Sequence, residues 1–144
     1  DDVSWLRDRW PGKLVVKGVQ SVTTSKELSA AGVDAIVLSN HGGRQLDRAP
    51  VPMEVLPDVV AAVPEDCEVY VDGGITDGAD ALAAVALGAR GVFVGRAHLY
   101  GLMAGGQSGV RKVVELFRDQ VTTQMALLGV RTLADLSPEH IRFR

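Results

Sequence analysis

Four short runs of apolar, mostly β-branched residues are the clearest pattern along the chain. They occupy residues 14–16, 35–38, 69–71 and 91–94, and each run is nearly continuous instead of alternating with polar residues. Strands with this pattern are usually buried on both faces, as in a parallel sheet. The pattern therefore predicts four buried, parallel strands.

Helical patterns lie between and after these runs, at residues 24–31, 55–63, 77–87, 109–128 and 133–136. Gly32 and Gly88 are expected to end the first and third helices. Pro57 fits only near the first turn of the second helix, because proline lacks the N–H group that a helix interior needs. In the fourth, apolar residues recur at the spacing of an amphipathic helix. Residues 1–9 resemble the last part of a helix, so we expect the chain to be a piece of something longer.

The strand and helix patterns alternate along the whole chain, which predicts right-handed βαβ units on a parallel α/β sheet. Residues 30–37 and 86–94 resemble each other, and both are typical of a helix end, a tight turn and a strand. Four such units make half of a TIM (β/α)8 barrel. Because no linker or low-complexity stretch interrupts them, residues 1–144 are predicted to form one domain.

Composition and charge exclude several classes of function. The net charge is −3 and like charges do not cluster, so a nucleic-acid or anionic-membrane surface is not expected. The apolar runs are too short to span a bilayer, and the start has no signal-peptide pattern. The single cysteine, Cys67, cannot form an internal disulfide, which fits the cytoplasm. His, Cys and carboxylate side chains lack metal-ligand spacing, so no metal site is expected.

Polar residues follow each predicted strand at the point where it ends. The first strand runs into Lys17, the second into residues 39–44, the third into Asp72 and the fourth into Arg96. The carboxyl ends of parallel strands meet at one edge of a sheet, and barrel enzymes have their active sites there. The sequence therefore predicts a functional site at this edge.

The loops after the last two strands are rich in glycine and lead into helices. Glycine allows a close approach of the backbone to a ligand, and helix N-termini offer free N–H groups to an anion. Gly73, Gly74, Gly95 and Arg96 are therefore candidates for a phosphate site. The alternative is that these glycines only make tight turns, and the cation of Arg96 favours phosphate over that alternative.

His41 and Arg44 lie three residues apart in the loop after the second strand. An imidazole can act as a base near neutral pH, and a guanidinium can hold a carboxylate through two parallel hydrogen bonds. Together the two residue types suit an acid substrate that must lose a proton. Taken alone, however, the pair favours a capping histidine and a surface arginine over a catalytic pair.

Residues 39–47, Ser-Asn-His-Gly-Gly-Arg-Gln-Leu-Asp, change that balance. They resemble the signature of the FMN-dependent α-hydroxy-acid dehydrogenase and oxidase family, which includes glycolate oxidase, lactate oxidase, lactate monooxygenase, mandelate dehydrogenase and flavocytochrome b2. Further motifs in the same order are also similar to the family, at residues 16–18, 71–75, 86–89, 94–96 and 125–129. The resemblance covers nearly all of the chain and corresponds to strands five to eight of the family's barrel.

The resemblance implies FMN as a non-covalent cofactor and oxidation of a 2-hydroxy acid to a 2-keto acid. It implies that His41 is the catalytic base and that Arg44 binds the substrate carboxylate. Lys17 would lie at the N1/C2 carbonyl edge of the flavin and stabilise its anionic reduced form, Ser39 would hydrogen-bond the flavin, and Asp72 would bind ribityl hydroxyls. The implied FMN-binding set is Lys17, Ser39, His41, Asp72, Gly73, Gly74, Gly95 and Arg96.

The chain departs from the family pattern after the third strand. Thr76 and Asp77 stand where the family usually has one or two arginines, so a cation is missing near the phosphate and we expect weaker FMN binding. The resemblance further implies that the rest of the barrel supplies the side-chain pocket for the substrate. The electron acceptor (oxygen, a quinone or a cytochrome) and the particular acid stay open.

Two other interpretations remain at this point. The chain could belong to another FMN- or phosphate-binding barrel enzyme that shares only the glycine-rich loops, although His41 and Arg44 disfavour this. It could also be a catalytically incomplete half-barrel or an assembly unit, because the first and last strands would leave open edges. In that case we expect it to pair with its N-terminal half, to form a homo-oligomer, or to be poorly soluble.

Overall fold

The computed structural model describes residues 2–142, and its centre is one parallel sheet of four strands. The strands are β1 (Val15–Val19), β2 (Ala35–Ser39), β3 (Glu68–Asp72) and β4 (Gly91–Phe93). They lie in the order β1-β2-β3-β4, and each neighbouring pair is parallel. The prediction of four parallel strands, and of an α/β half-barrel, is confirmed.

Helices precede, separate and follow the strands. They are α1 (Asp2–Arg9), α2 (Val22–Ala30), α3 (Pro52–Val60), α4 (Gly78–Ala86) and α5 (Arg96–Leu128). Short 3-10 turns follow at Leu133–Asp135 and Pro138–His140, and a third, His41–Gly43, comes directly after β2. Within residues 2–142, no helix is both long and apolar enough to cross a membrane.

The hydrophobic core lies between the sheet and its helices. Side chains alternate across a strand, and one set, including Ile36, Leu38 and Val71, is fully buried against Leu56 and Val59 of α3. Burial of each such side chain contributes about 1.5–3 kcal/mol relative to exposure. This core holds the strands in place, and so it positions the loops that follow their carboxyl ends.

The opposite face of the sheet is the one that lines the interior of a barrel. Val15 and Phe93 on this face are 51% and 48% exposed. Tyr70 is a residue of β3, which lies between β2 and β4. Its ring packs against that of Phe93, with the ring centroids 5.7 Å apart. The described chain thus has one apolar face packed by helices and a second that is only partly covered.

The amino ends of the strands carry an ion cluster centred on Asp34, called here the Asp34 cluster. Its carboxylate lies 2.9 Å from Arg7 Nη1 and 2.8 Å from Lys13 Nζ, and it accepts the Leu14 N–H at 2.8 Å. The hydrogen bonds from Lys13 and Leu14 hold the pKa of Asp34 well below its usual range. The cluster joins α1 and the approach to β1 to the turn before β2.

Helix α3 begins earlier than the sequence pattern predicts. Pro52 occupies its first turn, where a missing N–H costs nothing, and this placement leaves Pro57 inside the helix. The expectation that Pro57 lies near the first turn is therefore wrong. The apolar residues of α3 lie after Pro52. The apolar pattern therefore predicted a helix start that is later than the observed one.

Helix α5 also begins earlier than predicted, at Arg96, and it is broken in the middle. Gly105 and Gly106 have non-helical backbone angles that divide it into two arms. The arms pack closely where Gly101 faces Gly109, because a Cβ on Gly101 would lie 2.7 Å from the Gly109 carbonyl oxygen. The predicted helix at residues 109–128 corresponds only to the second arm.

Candidate active site

A cleft of about 540 Å³ lies at the carboxyl ends of the strands, and we refer to it as the carboxyl-end cleft. Seven of the residues that the sequence singled out line it: His41, Arg44, Asp72, Gly73, Gly74, Gly95 and Arg96. They come from three different βα loops. The parallel sheet brings these loops together because all its strands end at the same edge.

Lys17 and Ser39 lie beside the cleft and join its parts. Lys17 Nζ lies 2.8 Å from Asp72 Oδ2 and donates to Ser39 Oγ at 3.2 Å. The fully buried Ser39 hydroxyl also accepts the His41 backbone N–H at 3.1 Å. Three neighbouring strands, β1, β2 and β3, are thereby tied at their ends through charge-assisted and neutral hydrogen bonds.

The loop that carries His41 has an uncommon backbone. His41, Gly42 and Gly43 have φ values of 54°, 68° and 79°, in the left-handed region. A non-glycine residue there is unfavourable, and such residues cluster at functional sites. The Asn40 side chain holds the turn by accepting the Gly42 N–H at 3.0 Å, as expected for a loop-shaping residue.

The imidazole of His41 lies over the backbone of Gly18, on the neighbouring strand. A Cβ added to Gly18 would lie 3.0 Å from His41 Nε2, and φ of Gly18 is 94°. Glycine at this position therefore leaves the space in which the ring sits. The histidine side chain is held at an exposed position at the cleft, where it can reach a ligand.

Two arginines contribute positive charge to the carboxyl-end cleft. Within residues 2–142, neither Arg44 nor Arg96 forms an ion pair with a carboxylate. Arg96 reaches from the start of α5 towards the His41 loop, since a Cβ on Gly42 would lie 3.5 Å from its Nη2 atom. The cleft therefore has cationic groups that are available to an anionic ligand.

The two helix N-termini at the cleft differ. At α4, Asp77 accepts the N–H groups of residues 79 and 80, Asp80 accepts those of residues 76 and 77, and Gln120 accepts that of Gly78. The expectation of free N–H groups there is wrong, because side chains take them. At α5 the N-cap residue is Gly95, which has no side chain, and within the described part of the chain no side chain caps this helix start.

Open space lies in front of two of the predicted phosphate-binding glycines. A Cβ added to Gly74 or Gly95 would meet no atom within 4 Å, whereas one on Gly73 would lie 2.8 Å from the Asn40 side-chain oxygen. Gly73 is thus needed for the packing of the loops. Gly74 and Gly95 leave their backbone accessible from the cleft, as a cradle for a phosphate requires.

Sequence reasoning missed several residues of the site. Phe93 and Tyr100 line the cleft, and Gln20 donates to the Ser39 carbonyl oxygen at 3.3 Å. Phe93 could have been found, because it pairs in register with Asp72 and therefore shares its side of the sheet. Gln120 had no signal in the sequence, because it lies 42 residues from the N–H group that it binds.

Comparisons with known proteins agree with this geometry. A family model described as FMN-dependent dehydrogenase matches residues 1–143. A protein of Mycobacterium tuberculosis named putative L-lactate dehydrogenase is 54% identical over 98% of this chain and 34% of its own length. A second protein of that organism, named pre-mycofactocin synthase, is 47% identical over 98% of this chain and 36% of its own length.

A solved structure of a soluble mutant of (S)-mandelate dehydrogenase from Pseudomonas putida also matches. Its TM-score is 0.93 and its identity 44%, over 99% of this chain and 40% of that protein. The chain therefore spans about a third of the curated relatives and two fifths of this structure. The four βα units described above correspond to that part of a larger barrel.

Proposed function

The chain belongs to the FMN-dependent dehydrogenase family, and on that premise we propose that it is the catalytic half of a barrel that oxidises a 2-hydroxy acid to a 2-keto acid. One observation carries the proposal. His41, Arg44 and Arg96 line a single cleft, so a base, a carboxylate-binding cation and a phosphate-binding cation are within one site. A 2-hydroxy acid and a phosphorylated cofactor require this combination.

The residues of the cleft fit FMN. Open space in front of Gly74 and Gly95 accommodates a phosphate, and Arg96 supplies a cation beside it. Lys17, which is paired with Asp72 at 2.8 Å, would face the flavin ring, while Asp72 would accept ribityl hydroxyls and Ser39 would hydrogen-bond the ring. FMN, when bound, supplies the two-electron acceptor that the side chains of the protein lack.

The substrate would be bound and deprotonated by the His41 loop. Arg44 would hold the carboxylate through paired hydrogen bonds, which fixes the α-carbon against the cofactor. His41 would take the proton from the α-hydroxyl or the α-carbon. The left-handed backbone at His41 and the glycine at position 18 keep the imidazole at the cleft while the substrate exchanges.

The barrel must be closed by further strands, and we propose that the N-terminal half of the same barrel supplies them. The sheet has open edges at β1 and β4, and its interior face is partly exposed at Val15 and Phe93. A second copy of the chain is the alternative source of these strands. In either case strands that do not belong to this copy of the chain would complete the substrate pocket and would select the particular acid and electron acceptor.

An absorption titration tests the proposal. The protein, assembled with the strands that close the barrel, is titrated with FMN, and the flavin bands are expected to shift from those of free FMN. Glycolate, lactate and mandelate are then added without oxygen, and at least one should bleach the bound flavin. Propionate, which has the carboxylate but no hydroxyl, is the control and should leave the spectrum unchanged. Bound flavin that no 2-hydroxy acid bleaches would contradict the proposed reaction and favour another reaction of the family.

A further inference from the structure

The cap of α4 occupies the atoms that an anion would need. All the N–H groups of residues 76–80 donate to side-chain oxygens, at distances from 2.7 to 3.3 Å. The acceptors are the carboxylates of Asp77 and Asp80 and the amide of Gln120. A helix N-terminus binds anions through free N–H groups and its positive dipole end. Here side chains of the chain itself already accept the N–H groups, and two of these side chains are carboxylates.

Thr76 is also part of this cap. It lines the carboxyl-end cleft, but its hydroxyl donates to Asp80 Oδ2 at 2.8 Å. The position where the family resemblance implies an arginine therefore contributes no charge to the cleft. Residues 76–80 thus place two carboxylates close behind the lining of the cleft, and they include no lysine or arginine.

The cap is held in place from a distant part of the chain. Gln120, on the second arm of α5, accepts the Gly78 N–H at 2.8 Å. The two helices touch here, since a Cβ on Gly78 would lie 2.7 Å from Gln120 Cβ and 2.9 Å from the Phe117 carbonyl oxygen. The start of α4 cannot open towards a ligand unless it separates from α5.

We propose that this cap excludes the cofactor phosphate from the first turn of α4, so that the phosphate is bound at the N-terminus of α5 alone, by Arg96 and the first-turn amides of α5, with the backbone of Gly74 open to it. The inference rests on the proposed FMN site. It follows from the contrast between two helices that border one cleft. The first turn of α4 is filled by Asp77, Asp80 and Gln120, whereas Gly95 begins α5 with open space in front of it and a guanidinium beside it.

An amide-resolved NMR titration of the full chain with inorganic phosphate, and then with FMN, tests the location. The expected result is a shift of the amide signals of residues 95–97 with both ligands, and signals of residues 77–80 that stay in place. Shifts at residues 77–80 as large as those at residues 95–97, or no shift at residues 95–97, would overturn the proposal. The readout does not require turnover.

Affinity measurements with FMN and riboflavin, which lacks the phosphate, test the energetic part. Because Arg96 would bind the phosphate by charge-assisted hydrogen bonds, Arg96→Met should weaken FMN binding roughly tenfold or more and leave riboflavin binding unchanged. Arg111→Met, which removes an exposed arginine on α5, is the matched control and should change neither. An equal loss for both flavins, or no loss for FMN, would overturn the proposal.

Asp80→Asn separates the charge of the cap from its shape, because asparagine can still accept the N–H groups. With less negative charge behind the cleft, FMN binding should stay the same or strengthen by up to about fivefold. Asp58→Asn, an exposed acid on α3, is the control. A loss of FMN affinity as large as that of Arg96→Met would mean that the intact cap supports phosphate binding, which would overturn the proposal.

Failure of the proposed function can be distinguished from failure of this inference. If phosphate moves the α5 amides but no 2-hydroxy acid bleaches bound FMN, the one-sided phosphate site stands and the proposed reaction falls. If bleaching occurs but the amides of α4 respond to phosphate, the reaction stands and this inference falls.

Discussion

The two ends of the sheet both concentrate charged side chains, but they use them in opposite ways. In the Asp34 cluster at the amino ends, the Asp34 carboxylate forms ion pairs with Arg7 of α1 and with Lys13, and it accepts the Leu14 N–H. At the carboxyl ends Lys17 is paired with Asp72, but Arg44 and Arg96 of the carboxyl-end cleft form no ion pair within the described residues. Charge that is matched inside the chain fixes the fold, and charge that is left unmatched in a cleft is available to a ligand.

Backbone strain follows the same division. The Asp34 cluster is built on ordinary backbone with a glycine, Gly32, at its turn. The carboxyl-end cleft holds His41 at a φ of 54°. Functional loops tolerate such strain because the packed core elsewhere stabilises the fold, and here that core lies between the sheet and α3.

The largest effect should come from His41→Asn, since asparagine tolerates the left-handed backbone but cannot serve as the base. In the active assembly, meaning this chain with the strands that close the barrel, kcat should fall on the order of 10²–10⁴-fold. The melting temperature should hardly change. Steady-state kinetics and a thermal melt measure both, with His140→Asn as the control. A kcat within about tenfold of the wild type would exclude His41 as the base.

Lys17→Met should have the next largest effect, because it removes the cation that we propose to face the flavin and leaves Asp72 without its partner. We expect kcat to fall about tenfold or more in the active assembly. Lys17→Arg should restore part of the loss, because it keeps the positive charge at this position. Equal kcat values for Lys17→Met and the wild type would mean that the Lys17–Asp72 pair only joins the strands.

At the other end of the sheet, Asp34→Asn should reduce stability and leave the cleft unaffected. The pKa of Asp34 is depressed in the folded chain, so its carboxylate stabilises the fold fully above its unfolded pKa of about 3.9 and progressively less as the pH falls below that value. The stability difference between wild type and variant should therefore be largest near neutral pH and shrink in acid. Urea unfolding at several pH values measures it. A difference that stays constant into acid would contradict the assignment.

Arg90→Gln should have the smallest effect, although Arg90 also lies near the amino ends of the strands. Its pair with Glu68 is 3.3 Å long, and the side chains are 70% and 45% exposed. An exposed pair of this kind contributes about 0–1 kcal/mol. Urea unfolding at neutral pH should show a small change in the free energy of unfolding. A loss of stability as large as that of Asp34→Asn would mean that an ion pair at the amino ends of the strands stabilises the fold even when it is largely exposed.

The parts of the fold that sequence predicted are those with local signals. Continuous β-branched runs gave the strands, and a parallel sheet then required Lys17, His41, Asp72 and Arg96 to meet at one edge. The same reasoning gave the glycine-rich loops. The roles of these residues came from the resemblance of residues 39–47 to a known signature, because a histidine and an arginine three apart are chemically ambiguous.

The parts that sequence did not predict depend on contacts between distant segments or on weak local signals. The first arm of α5 lies in a stretch with four glycines between residues 101 and 109, so its helical signal is poor. The cap of α4 includes Gln120, from another helix. Pro57 was expected near the first turn of α3, but Pro52 occupies that turn and Pro57 lies inside the helix.

The break in α5 at Gly105 and Gly106 has a practical consequence for engineering. The residues around it are exposed, the first arm leads back to Arg96 at the cleft, and the second arm is packed on α4. An exposed glycine joint between two separately anchored arms is the kind of place where a chain tolerates an insertion. A fluorescent reporter or an affinity tag could be introduced there without disturbing either the loops of the carboxyl-end cleft or the hydrophobic core.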